Sequence, residues 1–79
     1  MRSVIFTQAA RLELIEAQDW YEDESPGLGR QFRAEVDRVA RRISSSPLQF
    51  PLVLGATRRA LLRRFPYALL FVVNSDAIS

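Results

Sequence analysis

The segment Arg58-Arg59-Ala60-Leu61-Leu62-Arg63-Arg64-Phe65-Pro66-Tyr67 concentrates more chemically able side chains than any other stretch of the sequence. Paired arginines at each end of an apolar run, next to an aromatic ring, suit phosphate or carboxylate binding. The guanidinium directs a planar fork of N–H groups at two oxygens, and the ring offers a stacking surface. As a strand, the segment places Arg58 and Arg64 on one face and Arg59 and Arg63 on the other. A plainer use of the same charges is as solvated strand ends that discourage edge-to-edge pairing. Arg38, Arg41 and Arg42 make a second basic patch near the end of a predicted helix, where cations also complement the helix dipole.

The missing residue types exclude several chemistries. All 11 cations are arginine, and the chain has no lysine, histidine or cysteine. A histidine-based triad, an imidazole or thiolate metal site, a Schiff base and a disulfide framework are therefore impossible within it. Glu13, Glu16, Asp19, Glu22, Asp23 and Glu24 step along one predicted helix and read as its solvated face. Without a histidine nearby they make a poor metal site, so no metal and no cofactor is expected. Pro26-Gly27-Leu28-Gly29 lacks the spacing of a dinucleotide loop and reads as an interhelical turn. Trp20-Tyr21 is expected in the core or in helix packing. Charge divides along the chain: residues 1–37 carry net −4, and residues 38–79 carry net +6. The basic half is where an acidic partner or a nucleic acid would bind.

These side chains need a scaffold, and 79 residues allow one domain. A chain of this size buries only ~60% of the surface its unfolded form exposes. A first strand is predicted from Arg2 to Phe6. Thr7 then caps a helix over Gln8–Asp23, with Ala10, Leu14, Ala17 and Tyr21 on one face. Ser25-Pro26 starts a second helix, Pro26–Ser44, whose buried stripe is Phe32, Val36, Val39 and Ile43. The short link makes the two an antiparallel hairpin. Leu48–Thr57 reads as an irregular link, Arg58–Phe65 as a strand, and Tyr67–Val73 as a central strand apolar on both faces. Ala77-Ile78-Ser79 begins another strand. The fold class is α+β: an N-terminal strand, an antiparallel helical hairpin, then a small, mainly antiparallel sheet. No apolar run approaches a membrane span and no secretory pattern opens the chain, so the expectation is a soluble cytoplasmic protein with no membrane partner.

Phe6, Ala10, Glu13-Leu14, Ala17, Trp20-Tyr21-Glu22, Pro26-Gly27-Leu28-Gly29, Phe32, Glu35-Val36, Ile43, Pro47, Phe50-Pro51, Arg58-Arg59 and Arg64-Phe65-Pro66-Tyr67 together resemble the RelE/ParE superfamily of bacterial toxins, in the branch labelled plasmid-stabilisation proteins. The resemblance covers nearly the whole chain. It implies a helical hairpin on a small antiparallel sheet, a type II toxin, and a cognate protein antitoxin that wraps and neutralises it. It also implies a further strand and basic tail after Ile78-Ser79. The expected organisation is therefore a single RelE/ParE-like domain over 1–79 with the last strand and tail missing or truncated.

Two targets follow from the resemblance. RelE-like members cleave messenger RNA on the ribosome with basic and aromatic side chains of the sheet. In that pattern an arginine commonly follows the aromatic that opens the central strand, where this chain has Ala68 after Tyr67. Without lysine or histidine the general acid would be Tyr67, a carboxylic acid or something unusual. ParE-like members inhibit DNA gyrase and need no catalytic residues. The expectation favours a ParE-like gyrase inhibitor, with a RelE-like endoribonuclease and a truncated, inactive antitoxin-binding module as alternatives. Arg58, Arg59, Arg63, Arg64 and Tyr67 are the expected contacts to target or antitoxin.

Overall fold

Thr7 begins the first helix as the sequence predicts. Its backbone is extended, and its Oγ1 accepts the Ala10 N–H at 3.0 Å, which satisfies one of the free donors of the first turn. A computed structural model describes residues 3–73 and 77–78. Helix α1 spans Gln8–Glu24 and helix α2 spans Leu28–Ser45. The second helix starts at Leu28, later than the predicted Pro26, because Gly27 adopts the left-handed backbone (φ 89°) that terminates the link. Its first turn is capped from the preceding helix. The Glu22 carboxylate accepts the Gly27 N–H at 2.9 Å and the Gly29 N–H at 3.0 Å. That places a negative charge at the positive end of the α2 dipole.

Gly29 is where the hairpin closes. A Cβ built there would lie 2.7 Å from the Gln18 carbonyl oxygen and 2.9 Å from Glu22 Oε1. In an open helix Gly→Ala gains about 1 kcal/mol. Here Gly29→Ala is expected to cost about 1–3 kcal/mol by forcing α1 and α2 apart and displacing the Glu22 cap. At about 4–8 °C per kcal/mol for a chain this small, thermal denaturation should show a clear fall. A Tm at or above that of the parent would contradict the close approach.

The stripe on α2 is the centre of the core. Phe32, Val36, Val39 and Ile43 are fully buried, against Leu14 of α1 and the inner face of the sheet. The sheet consists of β2 (Leu52–Leu54), β3 (Thr57–Leu61) and β4 (Ala68–Val72), antiparallel in that order. The β3–β4 register runs from Thr57 opposite Val72 to Leu61 opposite Ala68. Ala60, Leu69 and Phe71 point inward and are buried. Strand β1 (Ser3–Val4) pairs in parallel with β5 (Ala77–Ile78), Ser3 opposite Ala77 and Val4 opposite Ile78. The architecture is thus α+β, a helical hairpin followed by a small antiparallel sheet, with the short first strand outside that sheet. Among the described residues no helix is long and apolar enough to cross a membrane.

Four further expectations change. The predicted link over Leu48–Thr57 contains a 3-10 turn, Pro47–Gln49, and the strand β2, which turns into β3 through Gly55 (φ 54°). The strand predicted to reach Phe65 ends at Leu61. Within the three-stranded sheet β3 is central, and β4 is covered on one face only, with Leu70 63% exposed. Trp20 is also exposed; its indole stands nearly perpendicular to the Tyr21 ring, at 5.1 Å between ring centroids.

Candidate functional site: a basic cleft beside helix α2

Beyond Leu61 the chain crosses to β4 through Leu62–Tyr67. Leu62 and Phe65 are buried and anchor this connection. The Leu62 N–H donates to the Tyr67 carbonyl at 3.0 Å, and the Tyr67 N–H donates to the Phe65 carbonyl at 2.8 Å. Between the anchors, Arg63 and Arg64 are turned out to solvent. Arg64 has φ 71°, the one left-handed non-glycine among the described residues. Such a conformation costs of order 1–3 kcal/mol and persists only where its surroundings hold it. Here Arg64 Nη2 donates to Gln31 Oε1 on α2 at 2.8 Å, and the guanidinium lies 5.9 Å from the centroid of the Phe65 ring.

Glu35 joins the connection to the helix. Its carboxylate accepts Arg38 Nε at 2.7 Å and Arg38 Nη2 at 2.8 Å, a two-point pair one turn apart on α2. The same carboxylate accepts the backbone N–H of Arg63 at 2.5 Å. The Arg38 hydrogen bond, helped by the Arg63 N–H and both positive charges and opposed by burial, lowers the Glu35 pKa to about 2. Glu35 in turn raises the pKa of Arg38.

The result is an open cleft of about 330 Å³ lined by Gln31, Glu35, Arg38, Arg41, Arg63 and Arg64, with Phe65 beneath. Four arginines face one carboxylate. Arg38 and Arg64 are fixed by Glu35 and Gln31, whereas the guanidinium groups of Arg41 and Arg63 make no hydrogen bond or ion pair among the described residues. The cleft therefore combines a positioned pair of cations with two that retain all their donors, an arrangement suited to carboxylate or phosphate oxygens.

The predicted contact residues divide among four places. Arg63 and Arg64 reach the cleft, joined by Arg38 and Arg41 from the second basic patch. Arg58 does not share their strand face: it turns inward, and its Nη1 donates to the Phe50 carbonyl at 2.7 Å, tying the link before β2 to β3. Arg42 lies over the Phe50 ring at 5.2 Å. Arg59 stands on the outer face of the sheet, opposite Leu70. Tyr67 is half-buried, its ring edge-on to Phe32 at 5.1 Å, and is not a lining residue of the cleft. Burial, with the charges of Glu13 and Tyr21, raises its pKa. The arginines thus lack the exposed stacking ring that the sequence suggested beside them. The roles of Glu35 and Gln31 were not anticipated; the Glu35–Arg38 spacing was the available signal.

Glu35 gives the cleft a pH signature. Its folded pKa lies below the ordinary 4.5, so its contribution to stability is complete above that value and is lost as pH falls toward 2. Glu35→Gln is expected to cost about 1–2 kcal/mol at neutral pH. The Tm difference between parent and variant should shrink between pH 4.5 and 2. Parallel Tm profiles over that window would assign the acid sensitivity elsewhere.

No family model, curated protein or solved structure matches this chain.

Proposed function

We propose that the chain is the toxin component of a type II toxin–antitoxin pair, of the ParE-like kind that inhibits DNA gyrase, and that an acidic segment of its antitoxin occupies the basic cleft. The observation that carries the partner is the pair of unengaged guanidinium groups, Arg41 and Arg63, beside two that are held in place. No exposed aromatic lines the cleft for base stacking, which favours carboxylates over a nucleic-acid strand. The choice of gyrase over messenger RNA rests on the lack of lysine and histidine and on Tyr67, whose ring packs against Phe32 away from the arginines. The toxin class itself rests on the resemblance over nearly the whole chain and is in keeping with the α+β layering.

Induction in a bacterial host tests the reading. The expected result is growth arrest with a DNA-damage response, relieved by the co-expressed antitoxin, and a purified protein that blocks supercoiling. Translation arrest with cuts inside codons, lost in Tyr67→Phe, would replace gyrase by the ribosome. Tight antitoxin binding without arrest would identify an inactive antitoxin-binding module. No binding at micromolar antitoxin would end the toxin–antitoxin reading.

A further inference from the structure

Helix α1 carries a second stripe on the side away from the core. Leu14, Ala17 and Tyr21 pack inward, whereas Leu12, Ile15, Glu16 and Asp19, spaced i, i+3, i+4 and i+7, share the opposite, exposed face. Leu12 and Ile15 are 54% and 51% exposed, and neither carboxylate makes a hydrogen bond or ion pair among the described residues. The sheet has an outer face of the complementary kind. Thr57, Arg59 and Leu61 of β3 stand opposite Val72, Leu70 and Ala68 of β4, and Leu54 of β2 stands opposite Thr57. Leu54, Leu61 and Leu70 are exposed, and the charge among them is that of Arg59, whose guanidinium is likewise unengaged among the described residues. An apolar face of this kind marks an interaction surface.

We propose that the outer face of α1 in one copy of the chain docks on the outer face of the sheet in a second copy, with Leu12 and Ile15 against Leu61 and Leu70 and with Glu16 and Asp19 reaching Arg59. Charge selects this arrangement. A sheet paired with its own copy would bring Arg59 toward Arg59, and α1 paired with its own copy would crowd Glu16 and Asp19 with their duplicates. Joining the unlike faces brings opposite charges together instead. The dimensions agree: Leu12 to Asp19 spans about 10 Å of helix, and Thr57 to Leu61 about 13 Å of strand. A helix laid on a sheet face is also the ordinary way for both to bury an apolar side. Because the two faces differ, the contact is heterologous, and a bound pair keeps one free face of each kind for further copies. Each face offers a handful of residues, against about 20–30 a side in a stable interface, so association is weak and sets in at about 100 μM. The inference goes beyond the toxin reading and does not use the basic cleft.

Sedimentation of the intact chain tests this. The parent is expected to be monomeric at about 5 μM and to grow past the dimer at about 1 mM. Its average mass at the higher concentration should fall as salt rises from about 0.05 to about 0.5 M, because the contact joins opposite charges. Leu12→Asp and Leu61→Asp each alter an exposed side chain on one face, so both should melt within about 5 °C of the parent. Each variant alone should stay monomeric. Mixed in equal amounts they supply one intact face apiece, and the complex should stop at one copy of each. The inference is overturned by a parent that stays monomeric at about 1 mM, or by association that strengthens with salt, and neither measurement needs a variant. Assembly lost in one variant only would mark a face paired with its own copy and would equally overturn it. So would assembly intact in both variants, or a mixture that stays monomeric or grows past two copies.

Discussion

Phe32→Ala is expected to leave little folded protein at room temperature. The Phe32 side chain has no exposed surface, and its ring meets Tyr21 at 5.0 Å, Phe65 at 5.4 Å and Tyr67 at 5.1 Å. Tyr21 belongs to α1, and Phe65 and Tyr67 to the connection between β3 and β4, so one side chain on α2 holds both layers together. Truncating a fully buried phenylalanine costs about 3–5 kcal/mol. A domain of 79 residues has a total stability of about 4–12 kcal/mol at ~0.05–0.15 kcal/mol per residue. The variant should lose far-UV ellipticity and melt without a cooperative transition, or with one lowered by at least about 12 °C at ~4–8 °C per kcal/mol. Phe32→Leu, which keeps most of the volume, should still melt cooperatively. If Phe32→Ala melted within about 5 °C of the parent, the aromatic cluster would not be the centre of the fold.

That cluster also explains what the sequence revealed and what it hid. The spacing of Phe32, Val36, Val39 and Ile43 sets a helical stripe by local geometry alone, and all four are buried as it requires. Thr7 was legible as a cap for the same reason, since its partner is only three residues away. The β region was harder because its signals are tertiary. Tyr67 to Val73 is apolar at every position, which suggested cover on both faces, yet Leu70 faces outward with only Arg59 opposite it. Nothing in Arg63-Arg64 announces a left-handed residue, so the strand was carried past its end at Leu61, and the alternation of the four arginines was misassigned. The meeting of Arg63 and Arg64 with Arg38 and Arg41 joins residues far apart in the chain, and no local pattern encodes it.

Removing both unengaged charges of the cleft, as Arg41→Gln with Arg63→Gln, should separate binding from folding. Each truncated charge-assisted hydrogen bond costs about 1.5–3 kcal/mol. The pair should therefore weaken binding of an acidic antitoxin segment by about 100- to 10,000-fold, at about 1.4 kcal/mol per tenfold. The fold should lose little. Neither guanidinium makes a hydrogen bond or ion pair among the described residues, the Arg63 backbone N–H still reaches Glu35, the Arg63 charge is the smallest of the aids to that carboxylate, and two fewer cations repel each other beside Arg38 and Arg64. Arg58→Gln gives the opposite pattern, because it strips the Phe50 carbonyl of its donor and should lower Tm while leaving affinity intact. Calorimetry at two salt concentrations adds a second criterion: parent affinity should fall as screening rises, and the double variant should depend on salt less steeply. A double variant that binds as tightly as the parent at both salt levels would make the cleft a solvated surface and remove the acidic segment from the proposed partner.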